Sequence, residues 1–182
     1  MMHHRFAKPV AIIVGLLGLI AAISFFLFIP KMKSDAILLN DLLQEPLLTV
    51  DGRKIDLSDS SSSKYPVVIV NFWASWCPPC AEELPSLLKL VRKFEGKVLI
   101  LAISEDEDVE KMNSFLKQYG ELPNSFAVIW DKGFLYKARF RAEKLPESWI
   151  FDKDRRLDKK INGYEDWGTP GALQYFKELV ER

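Results

Sequence analysis

Residues that build most metal sites and hydrolytic sites are scarce in this sequence, which has two cysteines and two histidines among 182 residues. Two cysteines are too few for a small domain held together by several disulfides. Both histidines, His3 and His4, stand at the N-terminus. The remainder therefore has no histidine to complete a structural zinc site or to activate a cysteine, as in papain-like hydrolases. We expect no resident metal ion.

An excess of charge is also lacking, since 25 basic residues balance 25 acidic ones. No basic cluster is interleaved with aromatic residues that could stack on bases, so nucleic-acid binding is not expected. With 48% hydrophobic residues, the chain is long enough for one packed domain and an additional segment. It is too short for two ordinary domains.

A long apolar run lies near the start of the sequence. Residues 10–29 carry no charged side chain, and Ser24 is their only clearly polar residue. A helix of this length spans about 30 Å, the thickness of the hydrocarbon core of a bilayer. The alternative is a cleaved signal peptide, but its apolar part is usually shorter and is followed by small residues, which 25–33 lack. We predict an uncleaved transmembrane anchor.

The charges that flank this run do not orient it. Arg5 and Lys8 precede it and Lys31 and Lys33 follow it, so the positive-inside rule favours neither direction. Residues 30–45 are predicted to connect the anchor to the domain.

The rest of the sequence alternates between strand and helix patterns. Asp51-Gly52 between two short apolar runs predicts a β-hairpin over 47–57, because this pair tolerates the positive φ angles of a tight turn. A serine-rich loop at 58–63 follows. Beyond it, buried-type strands alternate with amphipathic helices, which predicts crossover connections on a mainly parallel sheet. The predicted elements are a short helix at 36–43, strands at 67–72, 98–103 and 126–130, helices at 78–94, 109–119 and 133–140, a hairpin of 149–151 and 157–161, and a closing helix at 170–180.

Both cysteines lie where the first buried strand meets a helix, in the segment Trp76-Cys77-Pro78-Pro79-Cys80. Proline suits the first position of a helix, so Pro78 places Cys77 at the N-cap. A thiolate there faces the positive end of the helix dipole, which lowers the pKa of the thiol and makes Cys77 a nucleophile. Cys80 lies on the same helix face and can attack a mixed disulfide formed by Cys77.

Three other interpretations compete with redox chemistry: a metal site, a permanently closed disulfide, and two unrelated thiols in the core. A structural metal site takes about four ligands, and zinc here would have to use carboxylates. The spacing of the pair and its place at a strand-to-helix junction favour redox activity.

The segment Asn71 to Cys80, followed by Glu82-Glu83-Leu84-Pro85, closely resembles the active-site segment of the TlpA/ResA-like thioredoxin family. The resemblance extends from about Pro46 to the C-terminus and includes Leu145 to Asp152, which is similar to the cis-proline strand of the family. It implies an α/β domain of thioredoxin-like fold over residues 46–182. A mixed central sheet flanked by helices is expected, with an N-terminal β-hairpin after the N-terminal transmembrane helix.

The resemblance also implies roles for individual residues. Cys77 matches the attacking cysteine, Cys80 the resolving cysteine, and Pro146 the cis-proline that helps to dock an extended substrate. Leu145 and Trp76 are expected to line the same docking surface. No cofactor is implied other than the redox-active Cys77–Cys80 disulfide.

Glu83 matches a carboxylate that modulates the cysteines in this family. Its position gives an independent reason, since it lies one helical turn beyond Cys80. A partly buried carboxylate there could take the proton of the Cys80 thiol or raise the pKa of the thiols. The alternative is a solvated glutamate, the common case on a helix, and this is what we expect for Glu82.

Two departures from the family pattern affect the site. Typical thioredoxins have a buried aspartate where this chain has Asn71, which cannot titrate, so any proton acceptor must be another group such as Glu83. Leu145 before the proline and Trp149 after it are bulkier than the residues common there. These two larger side chains bear on the shape of the substrate groove.

Members of this family are typically tethered to the cytoplasmic membrane with the catalytic domain outside it. The resemblance therefore implies that residues 1–9 are cytoplasmic and that the domain faces the periplasm or the extracellular side. It also implies reduction of disulfides in target proteins, often in cytochrome c maturation. Apocytochrome c is then the leading substrate, and a membrane thiol reductant of DsbD or CcdA type the electron donor.

Pro79 supports the role of a reductant. Proline has no N–H to donate to the Cys77 thiolate, and a less stabilised thiolate favours the oxidised form of the pair. A peroxide-reducing thiol enzyme and a general disulfide oxidase remain alternatives. A copper-delivery protein of Sco type is disfavoured, because the domain has no histidine ligand.

Overall fold

A computed structural model of the chain describes residues 37–57 and 64–182. The predicted anchor at 10–29 and the predicted serine-rich loop at 58–63 lie outside the described residues. None of the helices within the described ranges has the length and apolar character needed to cross a membrane.

The described residues form five α-helices and seven strands, at nearly the positions that the sequence predicts. The helices are α1 (Leu39–Leu42), α2 (Pro78–Lys93), α3 (Val109–Leu116), α4 (Leu135–Phe140) and α5 (Pro170–Glu181). The strands are β1 (Leu47–Leu48), β2 (Lys54–Ile55), β3 (Val67–Trp73), β4 (Val98–Ser104), β5 (Phe126–Trp130), β6 (Glu147–Phe151) and β7 (Leu157–Asn162).

Five of the strands form one sheet in the order β5-β4-β3-β6-β7. The β3, β4 and β5 strands are parallel, whereas β6 runs antiparallel to β3 and β7 antiparallel to β6. The mixed sheet of the thioredoxin-like fold is thus confirmed. The mainly parallel sheet predicted from alternation alone is correct only for β3 to β5, because β6 and β7 form a hairpin.

The sheet separates two clusters of buried side chains. One cluster joins a face of the sheet to α2, α3 and α5, and it includes both cysteines. The other joins the opposite face to α1, α4 and the β1–β2 hairpin. Every residue of β3 and β4 is buried, as their continuous apolar sequences predict for strands covered on both faces.

Two local differences from the predicted boundaries have clear backbone causes. The hairpin strands are only two residues long, because the turn extends from Thr49 to Arg53, whose backbone groups bond at 2.9 Å. The fourth helix begins at Leu135 and not at Gly133, because Phe134 adopts a left-handed conformation with φ of 59°. Such a residue cannot continue a right-handed helix.

Candidate active site

The cysteine pair stands at the carboxyl end of β3, where the chain turns into α2. Cys77 is the N-cap of this helix in an extended conformation, and Pro78 is its first residue, as predicted. The carbonyl oxygen of Cys77 accepts from the backbone N–H of both Cys80 and Ala81, each at 3.1 Å. The backbone carbonyl of Cys77 therefore accepts the first hydrogen bonds of the helix.

Cys77 and Cys80 are joined by a disulfide, with their Cα atoms 5.3 Å apart. The interpretation of two unrelated core thiols is therefore wrong. Only 4% of Cys77 and 3% of Cys80 is exposed, whereas 63% of the neighbouring Trp76 is exposed. The disulfide is thus almost completely covered, and the exposed side chain next to it in the sequence is Trp76.

Glu83 is buried, with 1% of its surface exposed, so the alternative of a solvated glutamate is wrong. Its Oε1 accepts from the indole Nε1 of Trp167 at 2.6 Å, and its Oε2 lies 3.5 Å from Nδ2 of Asn71. Burial nevertheless raises the pKa of Glu83 to about 7, because the loss of water around the charge outweighs these donors. Glu82 is exposed, as expected.

Asn71 is buried on β3, and its side chain connects this strand to β6. Its side chain donates to Oγ of Ser148 at 2.9 Å, and the two residues are paired in the strand register. An amide has no titrating proton near neutral pH, so Glu83 is the ionisable member of this buried group.

The cis-proline predicted by resemblance is present, since the Leu145–Pro146 peptide bond is cis. Pro146 is buried and immediately precedes β6, and its carbonyl oxygen accepts from Gly163 N at 2.8 Å. Glu147, the next residue, pairs with Phe72 near the carboxyl end of β3. Pro146 therefore lies at the end of the sheet where α2 begins, and Leu145 beside it is half-buried.

Trp149 does not shape the groove beside the disulfide. It pairs with Val70, belongs to the buried cluster on the opposite face of the sheet from the cysteines, and packs edge-on against Phe140 at 5.4 Å. The bulk of Trp149 is accommodated in that cluster. Of the two large residues flanking the proline, only Leu145 also packs against the cluster that contains the cysteines.

Three residues that the sequence did not single out complete the site. Asp106, just after β4, holds the loop before the cysteines by accepting from the backbone N–H of Ser75 at 3.0 Å and from its hydroxyl at 2.5 Å. The others are Ser148 and Trp167. The position of Asp106 just after a predicted strand, at the carboxyl edge of the sheet, is a sequence signal from which it could have been identified. Nothing local marked Trp167, which lies 84 residues from its partner Glu83.

A cysteine disulfide at the N-terminus of a helix that follows a central strand, beside a cis-proline strand, defines the thioredoxin-like thiol–disulfide oxidoreductases. Sequence comparison agrees with this class, since residues 40–160 match the AhpC/TSA family. The chain belongs to that family, among its ResA-like thiol–disulfide oxidoreductases.

Individual relatives give the extent of the similarity. The chain is 36% identical to a thiol–disulfide oxidoreductase ResA of Bacillus cereus over 115 residues, which is 63% of each chain. It is 33% identical to ResA of Bacillus thuringiensis strain Al Hakam over 133 residues, 72% of each chain. The crystal structure of StoA from Bacillus subtilis has the same fold, with a TM-score of 0.59 at 19% identity, covering 75% of this chain and 95% of that one.

Proposed function

We propose that this protein reduces disulfides in other proteins on the outer side of the cytoplasmic membrane. The observation that carries the proposal is the Cys77–Cys80 disulfide at the start of α2, with the buried carboxyl group of Glu83 one turn further along the helix. A dithiol in this position supplies two electrons, and the carboxyl group supplies a proton acceptor.

The reaction begins from the reduced protein. The Cys77 thiolate attacks one sulfur of the substrate disulfide, so that a Cys77–substrate bond forms, the substrate disulfide breaks, and its other sulfur leaves as a thiolate. Cys80 then loses its proton and attacks the sulfur of Cys77. The Cys77–Cys80 bond forms and the second substrate sulfur is released, so two electrons have passed from the protein to the substrate.

Glu83 is the group best placed to take the proton of Cys80. Burial raises the pKa of Glu83 to about 7, so the carboxyl group exchanges protons readily near neutral pH. Asn71 cannot perform this step, because its amide does not titrate.

Pro79 favours reduction of substrates over their oxidation. It stands second in α2, where most residues would direct a backbone N–H at the thiolate of Cys77. Without that donor the reduced form is less stabilised, which gives a reducing dithiol. A potential of the Cys77–Cys80 couple near that of strong oxidases would favour the alternative of a general disulfide oxidase.

A reductant outside the cytoplasm needs a source of electrons and a place in the membrane. We propose residues 10–29 as a single-pass anchor, with residues 1–9 in the cytoplasm. A membrane thiol reductant of DsbD or CcdA type would return electrons to the cysteine pair. Apocytochrome c is the proposed substrate, because its haem-attachment motif contains two cysteines that must be reduced before ligation.

The experiment that tests this function is the capture of substrate by the Cys80→Ala variant. Cys77 remains able to attack, but no second thiol resolves the mixed disulfide, so oxidised apocytochrome c should be retained as a covalent adduct that dithiothreitol releases. The Cys77→Ala variant is the control and should retain none. Absence of an apocytochrome c adduct, with other proteins trapped, would point to general reduction of protein disulfides.

The match to the AhpC/TSA family is a reason to test the alternative of a peroxide-reducing thiol enzyme. Such an enzyme needs only the attacking thiol for its first step, so the Cys80→Ser variant would consume one equivalent of peroxide rapidly. We expect slow consumption, comparable to that of a free thiol in solution.

A further inference from the structure

Trp167 lies in the segment between β7 and α5 and is bound twice to the same turn of the active-site helix. Its indole Nε1 donates to Oε1 of Glu83 at 2.6 Å, and its backbone N–H donates to Oγ of Ser86 at 3.2 Å. Ser86 in turn donates its hydroxyl to the carbonyl oxygen of Glu83 at 2.8 Å. With 1% of its surface exposed, Trp167 is fixed in this position by the core.

The chemistry of the indole group makes this contact directional. An indole N–H donates a hydrogen bond and cannot accept one. Oε1 of Glu83 must therefore be the acceptor in this bond, and it cannot present a proton towards Trp167. Oε2 accepts a much longer bond, from Nδ2 of Asn71 at 3.5 Å, so a proton on Oε2 disturbs the hydrogen bonding of the carboxyl group less than a proton on Oε1 would.

Few other charges act on this carboxyl group. Glu165, two residues before Trp167, donates its backbone N–H to Glu83, while its own negative charge raises the pKa of Glu83. From β3, Asn71 donates to the carboxyl group, and it also donates to Ser148 of β6; neither side chain titrates near neutral pH. On α2, Cys80 stands one helical turn before Glu83. Of the groups that donate to Glu83 and lower its pKa, Trp167 has the largest effect.

We propose that Trp167 is a positioning residue for thiol exchange: its indole N–H holds Oε1 of Glu83, so that the carboxyl group takes the proton of Cys80 on Oε2. This rests on the proposed function, because the position of the proton on Glu83 matters to activity only if Cys80 is deprotonated during exchange. A charge-assisted bond stabilises the ionised carboxylate, so Trp167 keeps Glu83 a proton acceptor at lower pH than burial alone would allow.

A first test uses the unaltered oxidised protein and needs no substrate. The indole Nε1–H resonance of Trp167, followed by NMR between pH 5 and 9, should titrate with a midpoint of about 7 as Glu83 ionises. In the Glu83→Gln variant the same resonance should not move over this range. A resonance of Trp167 that is independent of pH in the unaltered protein, or that still titrates in the variant, would overturn the proposal.

A second test compares the pH dependence of insulin disulfide reduction in Trp167→Phe and in a matched control. Trp130→Phe also removes an indole donor, one that bonds the backbone oxygen of Asp106 and not Glu83. We expect Trp167→Phe to raise the midpoint of the pH–rate profile by roughly one pH unit, because one charge-assisted hydrogen bond to Glu83 is lost. Trp130→Phe should leave the midpoint unchanged. In a Glu83→Gln background, Trp167→Phe should cause no shift.

The two tests separate this inference from the proposed function. A folded Trp167→Phe protein with an unchanged midpoint would refute the role of Trp167 while leaving disulfide reduction intact. If Trp167→Phe does not fold, the NMR titration of the unaltered protein still decides whether its indole senses Glu83. Failure of the whole function would appear instead as loss of insulin reduction in the unaltered protein.

Discussion

At the scale of single residues, Glu83 shows how burial and hydrogen bonding compete at one carboxyl group. Trp167, Asn71 and the backbone of Glu165 all donate to it and lower its pKa, yet the pKa remains raised to about 7. Desolvation therefore has the larger effect. The result is a group that is half-protonated near neutral pH, which suits proton transfer with a thiol.

This raised pKa makes the stability of the protein depend on pH. The native state keeps a proton on Glu83 that the unfolded chain releases near the ordinary pKa of 4.5, so the contribution of Glu83 to stability is fully present below pH 4.5 and is lost as the pH rises through about 7. The loss of this contribution amounts to about 3 kcal/mol. We predict that the Glu83→Gln variant loses this pH dependence, as measured by urea unfolding of the oxidised protein at several pH values.

Glu82→Gln is the matched control, because Glu82 is its exposed neighbour on the same helix. This variant should reproduce the pH dependence of the unaltered protein. A stability profile for Glu83→Gln parallel to that of the unaltered protein would contradict the assigned titration.

At the scale of elements, α2 combines a reactive N-terminus with three prolines, of which Pro78 and Pro79 begin the helix. Pro85 lies inside the helix and has no N–H to bond the carbonyl oxygen of Ala81. The hydroxyl of Tyr119, from the short 3₁₀ segment after α3, donates to that oxygen at 3.4 Å. The carbonyl oxygen of Ala81, which Pro85 leaves without its helical partner, thus accepts a hydrogen bond from a neighbouring element.

The prolines of this helix lead to a prediction about reduction potential. Pro79→Ala restores a backbone N–H near the Cys77 thiolate, which should stabilise the reduced form and raise the potential by about 30 mV, the equivalent of one charge-assisted hydrogen bond. The measurement is equilibration of the Cys77–Cys80 couple with glutathione. Pro85→Ala is the control, since the N–H that it restores lies two turns from Cys77, and equal shifts in both variants would refute the explanation.

At the scale of the whole molecule, the sheet places the site and the supporting hairpin on different faces. Residues 37–182 form one compact unit. The hairpin also covers part of the outer strand of the sheet, since Val50 N donates to the carbonyl oxygen of Val128 at 2.9 Å. Covering an edge strand in this way limits pairing with other chains.

We predict that a chain lacking residues 1–36 folds and reduces insulin disulfides at the rate of the full chain, because the described site lies entirely within 37–182. It should no longer sediment with membranes, since the apolar run at 10–29 is removed. Circular dichroism, an insulin assay and membrane flotation measure these properties. Retention on membranes after the deletion would contradict the proposed anchor.

Local signals were sufficient for much of this protein. Pro78 placed Cys77 at a helix N-cap, continuous apolar runs placed β3 and β4 in the interior, and Asp51-Gly52 marked the hairpin turn. Each of these signals acts within a few residues along the chain. They therefore predict the elements, and the place of the cysteine pair between two of them, without reference to any long-range contact.

The environment of Glu83 and the face taken by Trp149 were decided by tertiary structure alone. Ser148 lies 77 residues from Asn71, and Trp167 lies 84 residues from Glu83. Such pairs meet only once the antiparallel register of β6 on β3 is set and the segment before α5 packs on α2. Sequence determined which groups can ionise or donate, whereas packing decided which of them lose water and face one another, and that sets their pKa.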